Sequence, residues 1–200
     1  MSINRVVPDS LLGIRNPVYF STVILKLTLF CNLDCSYCYM FSLADQTHLR
    51  IQNYMSPYTA IRGISALASH VLAHNGDRIQ IVLHGGEPSL WPIAHFRALA
   101  KHISAVRKSG VAVNLTIQTN GVAIRRDLID LLIEIDASLG VSLDGPVEVN
   151  DRRRVNHAGL GSYHRVIDNL QAILAWGFDP RKLGILSVVS PEVTPREYFE

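Results

Sequence analysis

The chain has 200 residues, 48% of them hydrophobic and 18% charged, with a formal net charge of +2. That length and hydrophobic share suit one domain with a sizeable core and exclude a disordered chain. So small a net charge gives no basic field for nucleic acid, although eight histidines add positive charge in mildly acidic conditions.

Residues 1–17, MSINRVVPDSLLGIRNP, lack a charged start leading into an apolar stretch and a small-residue cleavage site. No secretory signal is read, and a cytoplasmic location is expected. This stretch is taken as an N-terminal extension, and residues 18–200 as one core domain. The early apolar run at 18–31 is broken by Ser21, Thr22, Lys26 and Thr28 and falls short of the ~20 residues that span a bilayer. It reads as a buried strand, and neither a membrane nor a nucleic-acid partner is expected.

In chain order, β-branched and apolar runs predict strands at 23–29, 79–83, 111–119, 137–143 and 183–189. Helical spacing occupies 57–74, 92–109, 126–135 and 162–176 between them. Ser56-Pro57 and Trp91-Pro92 mark helix starts, and Gly76, Gly110 and Gly177 mark ends. Strict alternation implies right-handed βαβ units and a parallel sheet with helices outside, as a barrel or a doubly wound sheet. Residues 191–200 read as a turn and the first turn of a fifth helix. Since a parallel sheet normally continues, the sequence is expected to be the N-terminal portion of a longer protein, truncated after the fifth strand.

Cys31, Cys35 and Cys38, the only cysteines, follow the pattern Cx3Cx2C. An odd number of thiols in a cytoplasmic setting tells against a structural disulfide. Structural zinc usually takes four ligands, and the fourth would have to be a histidine such as His48. Iron–sulfur ligation fits soft thiolates, and four irons on three cysteines leave one iron open. In a regular helix Cys31 and Cys38 would stand about 10 Å apart along the axis, so a loop wrapped around a compact group is expected.

Three further motifs follow predicted strands. They are His84-Gly85-Gly86-Glu87-Pro88, Gln118-Thr119-Asn120-Gly121, and Val141-Ser142-Leu143-Asp144-Gly145-Pro146 with Asp151 and Arg154 beyond it. With the cysteines after the first strand, four motifs fall at carboxyl ends, the edge where α/β folds bind ligands. Each also has a plainer reading: tight turns at Gly85–Pro88, Asn120-Gly121 and Asp144–Pro146, a half-buried Tyr37, a solvated face for the run of arginines ending at Arg154. No histidine is assigned a catalytic role.

The cysteine pattern, with aromatic Tyr37 before the third cysteine, resembles the signature of radical S-adenosylmethionine (SAM) enzymes. The other stretches are similar to that family's GGEP, QTNG and S-x-DGP…D-x-x-R segments, and the resemblance covers about residues 20–176. It is greatest to the subgroup that modifies peptides and proteins, including anaerobic sulfatase-maturating enzymes and ribosomal-peptide maturases with a cysteine-rich C-terminal SPASM domain. Asn150 stands where that subgroup often has histidine, which tells against a sulfatase-type substrate.

The resemblance implies a partial (β/α) barrel whose Cys31, Cys35 and Cys38 hold a 4Fe-4S cluster, with SAM on the open iron. It implies that Gly85, Gly86, Glu87 and Pro88 hold SAM's amino group, Tyr37 lies near adenine, and Ser142 and Arg154 hold the carboxylate. Asn120 would bond ribose or substrate. The implied reaction is reductive cleavage of SAM to a 5′-deoxyadenosyl radical, which takes hydrogen from a peptide or protein substrate. A one-electron reductant such as flavodoxin or ferredoxin is then the second partner. The expected enzyme is a ribosomal-peptide maturase making a cross-link or other side-chain modification. The alternatives are a sulfatase maturase making formylglycine and, in another class, a non-catalytic iron–sulfur or zinc binding module.

Overall fold

A computed structural model describes residues 18–42, 44, 47–50 and 53–199, with only the backbone of Thr47, His48 and Phe199. The N-terminal extension at 1–17 and the side chain of His48 lie outside the described residues. Five strands alternate with helices: β1 (Thr22–Thr28), α1 (Pro57–Ala73), β2 (Arg78–Gly85), α2 (Ile93–Lys108), β3 (Ala112–Thr119), α3 (Arg126–Glu134), β4 (Ser138–Ser142), α4 (Val147–Asn150), α5 (Tyr163–Ala175), β5 (Leu183–Leu186) and α6 (Pro195–Phe199).

All neighbouring pairs are parallel and the spatial order is β1-β2-β3-β4-β5. A doubly wound sheet reverses strand order at its switch point, and this one does not. The arrangement is therefore the expected partial (β/α) barrel. No helix among the described residues is long and apolar enough to cross a membrane.

Strands β2, β3 and β4 alternate strictly. On β2, Ile79, Ile81 and Leu83 are buried, while Gln80, Val82 and His84 are partly open. The buried set joins Leu25, Leu27, Val113, Leu115, Ile117, Leu139 and Val141 beneath α1, α2 and α3, each large side chain contributing roughly 1.5–3 kcal/mol on burial. Gly63 of α1 lets that helix approach Leu25, which an added Cβ would meet at 3.7 Å. Arg107 of α2 donates to the Ile135 carbonyl at 2.6 Å and the Val113 carbonyl at 2.9 Å, closing the end of α3 onto the sheet. The opposite, inner face is polar: Gln80 bonds Thr116, and Gln118 bonds Ser142.

Strand β5 stops short of its expected end, and one short helix was not expected. Strand β5 ends at Leu186, because the Val188 amide is taken by the Asp144 carboxylate at 3.0 Å and Ser187 Oγ by the Leu143 carbonyl at 2.5 Å. A side chain there does what a ladder partner would have done. The short helix α4 follows Pro146, whose carbonyl accepts from Val149 and Asn150. A single turn is too brief for hydrophobic periodicity to show.

Candidate active site

Strand β1 pairs with β2 in regular register up to Lys26↔His84, then slips so that Thr28 faces Gly85. The slip turns the chain out of the sheet into the cysteine loop, which is irregular rather than helical. The loop is strapped by the segment after α4. Asp34 N–H donates to the Val155 carbonyl at 2.8 Å, Ser36 N–H to the Arg153 carbonyl at 3.1 Å, and Leu33 bridges Asn156. His157 donates from Nε2 to the Cys31 carbonyl at 3.0 Å. Nothing in the spacing of His157 or Asn156 announced this strap.

Cys31, Cys35 and Cys38 are free thiols, each partly buried, and all three line one cleft of about 390 Å³. Tyr37, Gly85, Gly86, Asn120, Ser142 and Arg154 line the same cleft. The structure thus brings together at one strand edge nine of the eleven residues singled out from sequence. Burial pushes the Cys31 thiol up to about 11. Cys35 is also raised by burial, with the Arg154 charge opposing it. Both thiols are protonated at neutral pH, and taking up a metal group displaces those protons.

Glu87 and Pro88 are placed differently. Both are buried and neither lines the cleft. The Glu87 carboxylate accepts from Ser89 N–H at 2.9 Å, Thr119 Oγ1 at 2.5 Å and Asn120 N–H at 2.6 Å. It is a buried strut between the turns after β2 and β3. Burial raises its pKa, and these donors work against that rise.

Gly85 and Gly86 also answer to the chain itself. Gly86 N–H donates to the Thr28 carbonyl and Glu87 N–H to the Phe30 carbonyl, both at 2.7 Å. A Cβ on Gly86 would lie 2.3 Å from the Phe30 oxygen, and one on Gly85, at φ 136°, 2.5 Å from the Thr28 oxygen. No other residue fits where this turn seals the root of the cysteine loop.

Asn120 is fully engaged. Its Oδ1 accepts from Val122 N–H at 2.9 Å, and its Nδ2 donates to Asn32 Oδ1 at 2.7 Å and contacts Cys31 Sγ at 3.6 Å. Ser142 Oγ accepts from Gln118 at 3.0 Å. Asn150 is completely buried, bonded to Asp144 N–H, Asp151 and Ser162. It holds the loop and does not face the cleft, so its departure from histidine is no direct statement about substrate.

Arg154 is 6% exposed. Its Nη1 donates to the Tyr37 hydroxyl at 2.9 Å, and that hydroxyl donates to Asp144 at 2.5 Å. Burial opposes the Arg154 charge, and Tyr37, Cys35 and Asp144 around it more than restore it. The Tyr37 phenol is raised by burial and by its bond to Asp144. Arg154 Nε is buried and bonded to nothing among the described residues. An orphaned charged donor beside three thiols is the arrangement that a bound carboxylate would complete.

The family model described as the radical SAM superfamily matches residues 25–200, and the chain belongs to that superfamily. Enzymes of this family use a 4Fe-4S cluster and SAM. Among curated proteins, the chain is 24% identical over 143 residues to a cysteine-type anaerobic sulfatase-maturating enzyme of Clostridium novyi, covering 72% of this chain and 37% of that one. It is 24% identical over 169 residues to a serine-type counterpart of Bacteroides thetaiotaomicron, covering 84% and 40%. The chain thus spans well under half the length of these relatives. Among solved structures, the sulfatase-maturating enzyme anSMEcpe with bound AdoMet aligns with a TM-score of 0.75 at 21% identity, over 89% of this chain and 46% of that one. The same enzyme with AdoMet and the Cp18Cys peptide aligns at 0.69 and 21%, over 84% and 43%. These likenesses show a shared fold.

Proposed function

We propose that the chain is the catalytic core of a radical SAM enzyme that modifies a peptide or protein, namely a ribosomal-peptide maturase. The observation that carries this reading is Arg154, a buried guanidinium with an unpartnered Nε on a cleft shared with three free thiols. In this reading Cys31, Cys35 and Cys38 hold three irons of the cluster. Arg154 and Ser142 take SAM's carboxylate, the backbone at Gly85 and Gly86 its amino group, and Tyr37 lies against adenine. Glu87 and Pro88 serve by fixing the turn that presents those glycines, and Asn120 by tying it to Cys31.

When bound, the cluster and SAM supply one-electron cleavage of SAM's carbon–sulfur bond and a 5′-deoxyadenosyl radical that takes hydrogen from substrate. The protein's own work is to orient and enclose. A reductant such as flavodoxin or ferredoxin delivers the electron, and the reducing cytoplasm keeps the free thiols available.

The names of the curated relatives favour a second reading, formylglycine formation on a sulfatase. The two part on product. Full-length, cluster-loaded enzyme is incubated with SAM, a reductant and either a sulfatase-derived peptide or peptides encoded beside it. A cross-linked product has lost two hydrogens and kept every heavy atom, without gaining an aldehyde. A product captured by a hydrazide contradicts the maturase reading, and no change in any peptide contradicts both.

A further inference from the structure

The inner face of the sheet holds one cluster that the SAM-binding residues leave unused. Lys26 and His84 are register partners on β1 and β2, one step before the strands turn out into the cleft. The Lys26 ammonium sits 5.1 Å from the centre of the Tyr39 ring, and that ring stands 6.4 Å from the His84 imidazole. Tyr39 follows Cys38 directly and, like His84, lines the cleft.

Lys26 has no carboxylate within ion-pair distance among the described residues. Alternation along β1 and β2 places Lys26, Arg78 and His84 on the inner face, and none of the five strands carries an Asp or Glu. His84 Nδ1 lies 2.7 Å from the Gly85 N–H, the shorter of its two contacts with Gly85, and in the tautomer that accepts this bond Nε2 carries the proton. The cluster therefore offers an ammonium and an imidazole ring, walled by an aromatic ring, with no carboxylate within ion-pair distance of the ammonium among the described residues. SAM's carboxylate is met in the proposed reading by Arg154, whose unpartnered, buried Nε lies in the loop between α4 and α5.

We propose that Lys26 and His84, with Tyr39 as wall, form a carboxylate-binding subsite that selects an acidic group on the peptide substrate. The inference rests on the peptide-modifying reading above. Two N–H donors match the two oxygens of a carboxylate, and Tyr39 holds the ammonium in place by cation–π contact. The carboxylate belongs either to an Asp or Glu side chain near the modified residue or to the peptide's C-terminus.

The test is affinity selection by full-length, cluster-loaded, SAM-bound enzyme from a randomised, N-acetylated heptapeptide library, half with free C-termini and half amidated. The expected result is enrichment of carboxylate-bearing peptides by roughly tenfold, lost in Lys26→Gln and kept in Lys26→Arg. Asp or Glu enriched in both halves identifies a side-chain carboxylate. Enrichment confined to free acids identifies the C-terminus. No selected peptides, no carboxylate preference, or a preference that survives Lys26→Gln overturns the subsite. Deoxyadenosine release from wild type without peptide is measured alongside, so that failure of the SAM chemistry is told apart from failure of this subsite.

Discussion

The Tyr37 hydroxyl lies 2.5 Å from the Asp144 carboxylate, joining the cysteine loop to the loop that leaves β4 across 107 residues of sequence. Arg154 completes the link from the other side. Two hydrogen bonds thus run in series from the Arg154 guanidinium through the Tyr37 hydroxyl to the Asp144 carboxylate, tying three separate segments together where the cleft's cation is held.

Tyr37→Phe removes that hydroxyl and leaves both Asp144 and Arg154 without it. The expected cost is about 1–3 kcal/mol for the unsatisfied groups. SAM affinity falls by roughly tenfold as Arg154 loses its anchor. Thermal unfolding and equilibrium dialysis with SAM measure the two effects. An unchanged affinity would show that the hydroxyl positions nothing.

Glu87→Gln is nearly isosteric, yet Ser89, Thr119 and Asn120 all point donors at the carboxylate. Thr119 Oγ1 already accepts from Gly121 N–H at 3.1 Å, so its own proton goes to Glu87. One amide NH2 must then face a donor. The variant is expected to lose about 1–3 kcal/mol, seen as a Tm lower by on the order of 5 °C. A wild-type Tm would mean that Glu87 is held protonated and can spare an oxygen.

His84 gives stability a pH dependence of known sign. Burial first, with Lys26 adding to it, holds its pKa below the ordinary value. The folded chain therefore resists a proton that the unfolded chain accepts near pH ~6.5. The contribution is fully present above that pH and is lost as pH falls from there toward the folded pKa. Urea midpoints between pH ~8 and ~5 should decline more steeply for wild type than for His84→Gln; parallel curves would remove His84 from the account.

Much of this architecture was legible because strand burial follows a period of two. Ile79, Ile81 and Leu83 of β2, like Val113, Leu115 and Ile117 of β3, announce both strand and buried face. The cysteine loop was legible from the compactness of its spacing. What sequence did not show depends on long-range partners. Glu87 reads as a ligand contact until Thr119 and Asn120 are seen folded over it. Asp144 reads equally well as a turn residue until Tyr37 and Val188 arrive from loops far away in sequence. The pairing of Lys26 with His84 needs the β1–β2 register, which no local pattern specifies.

The most direct test of the central claim uses the full-length protein, loaded anaerobically with iron and sulfide and then given dithionite and SAM. Mass spectrometry follows 5′-deoxyadenosine in wild type and in Cys35→Ala. The account predicts deoxyadenosine from wild type and none from the variant. A fully loaded wild type that forms none, even with candidate peptides present, would contradict it and return the cysteines to a non-catalytic binding role.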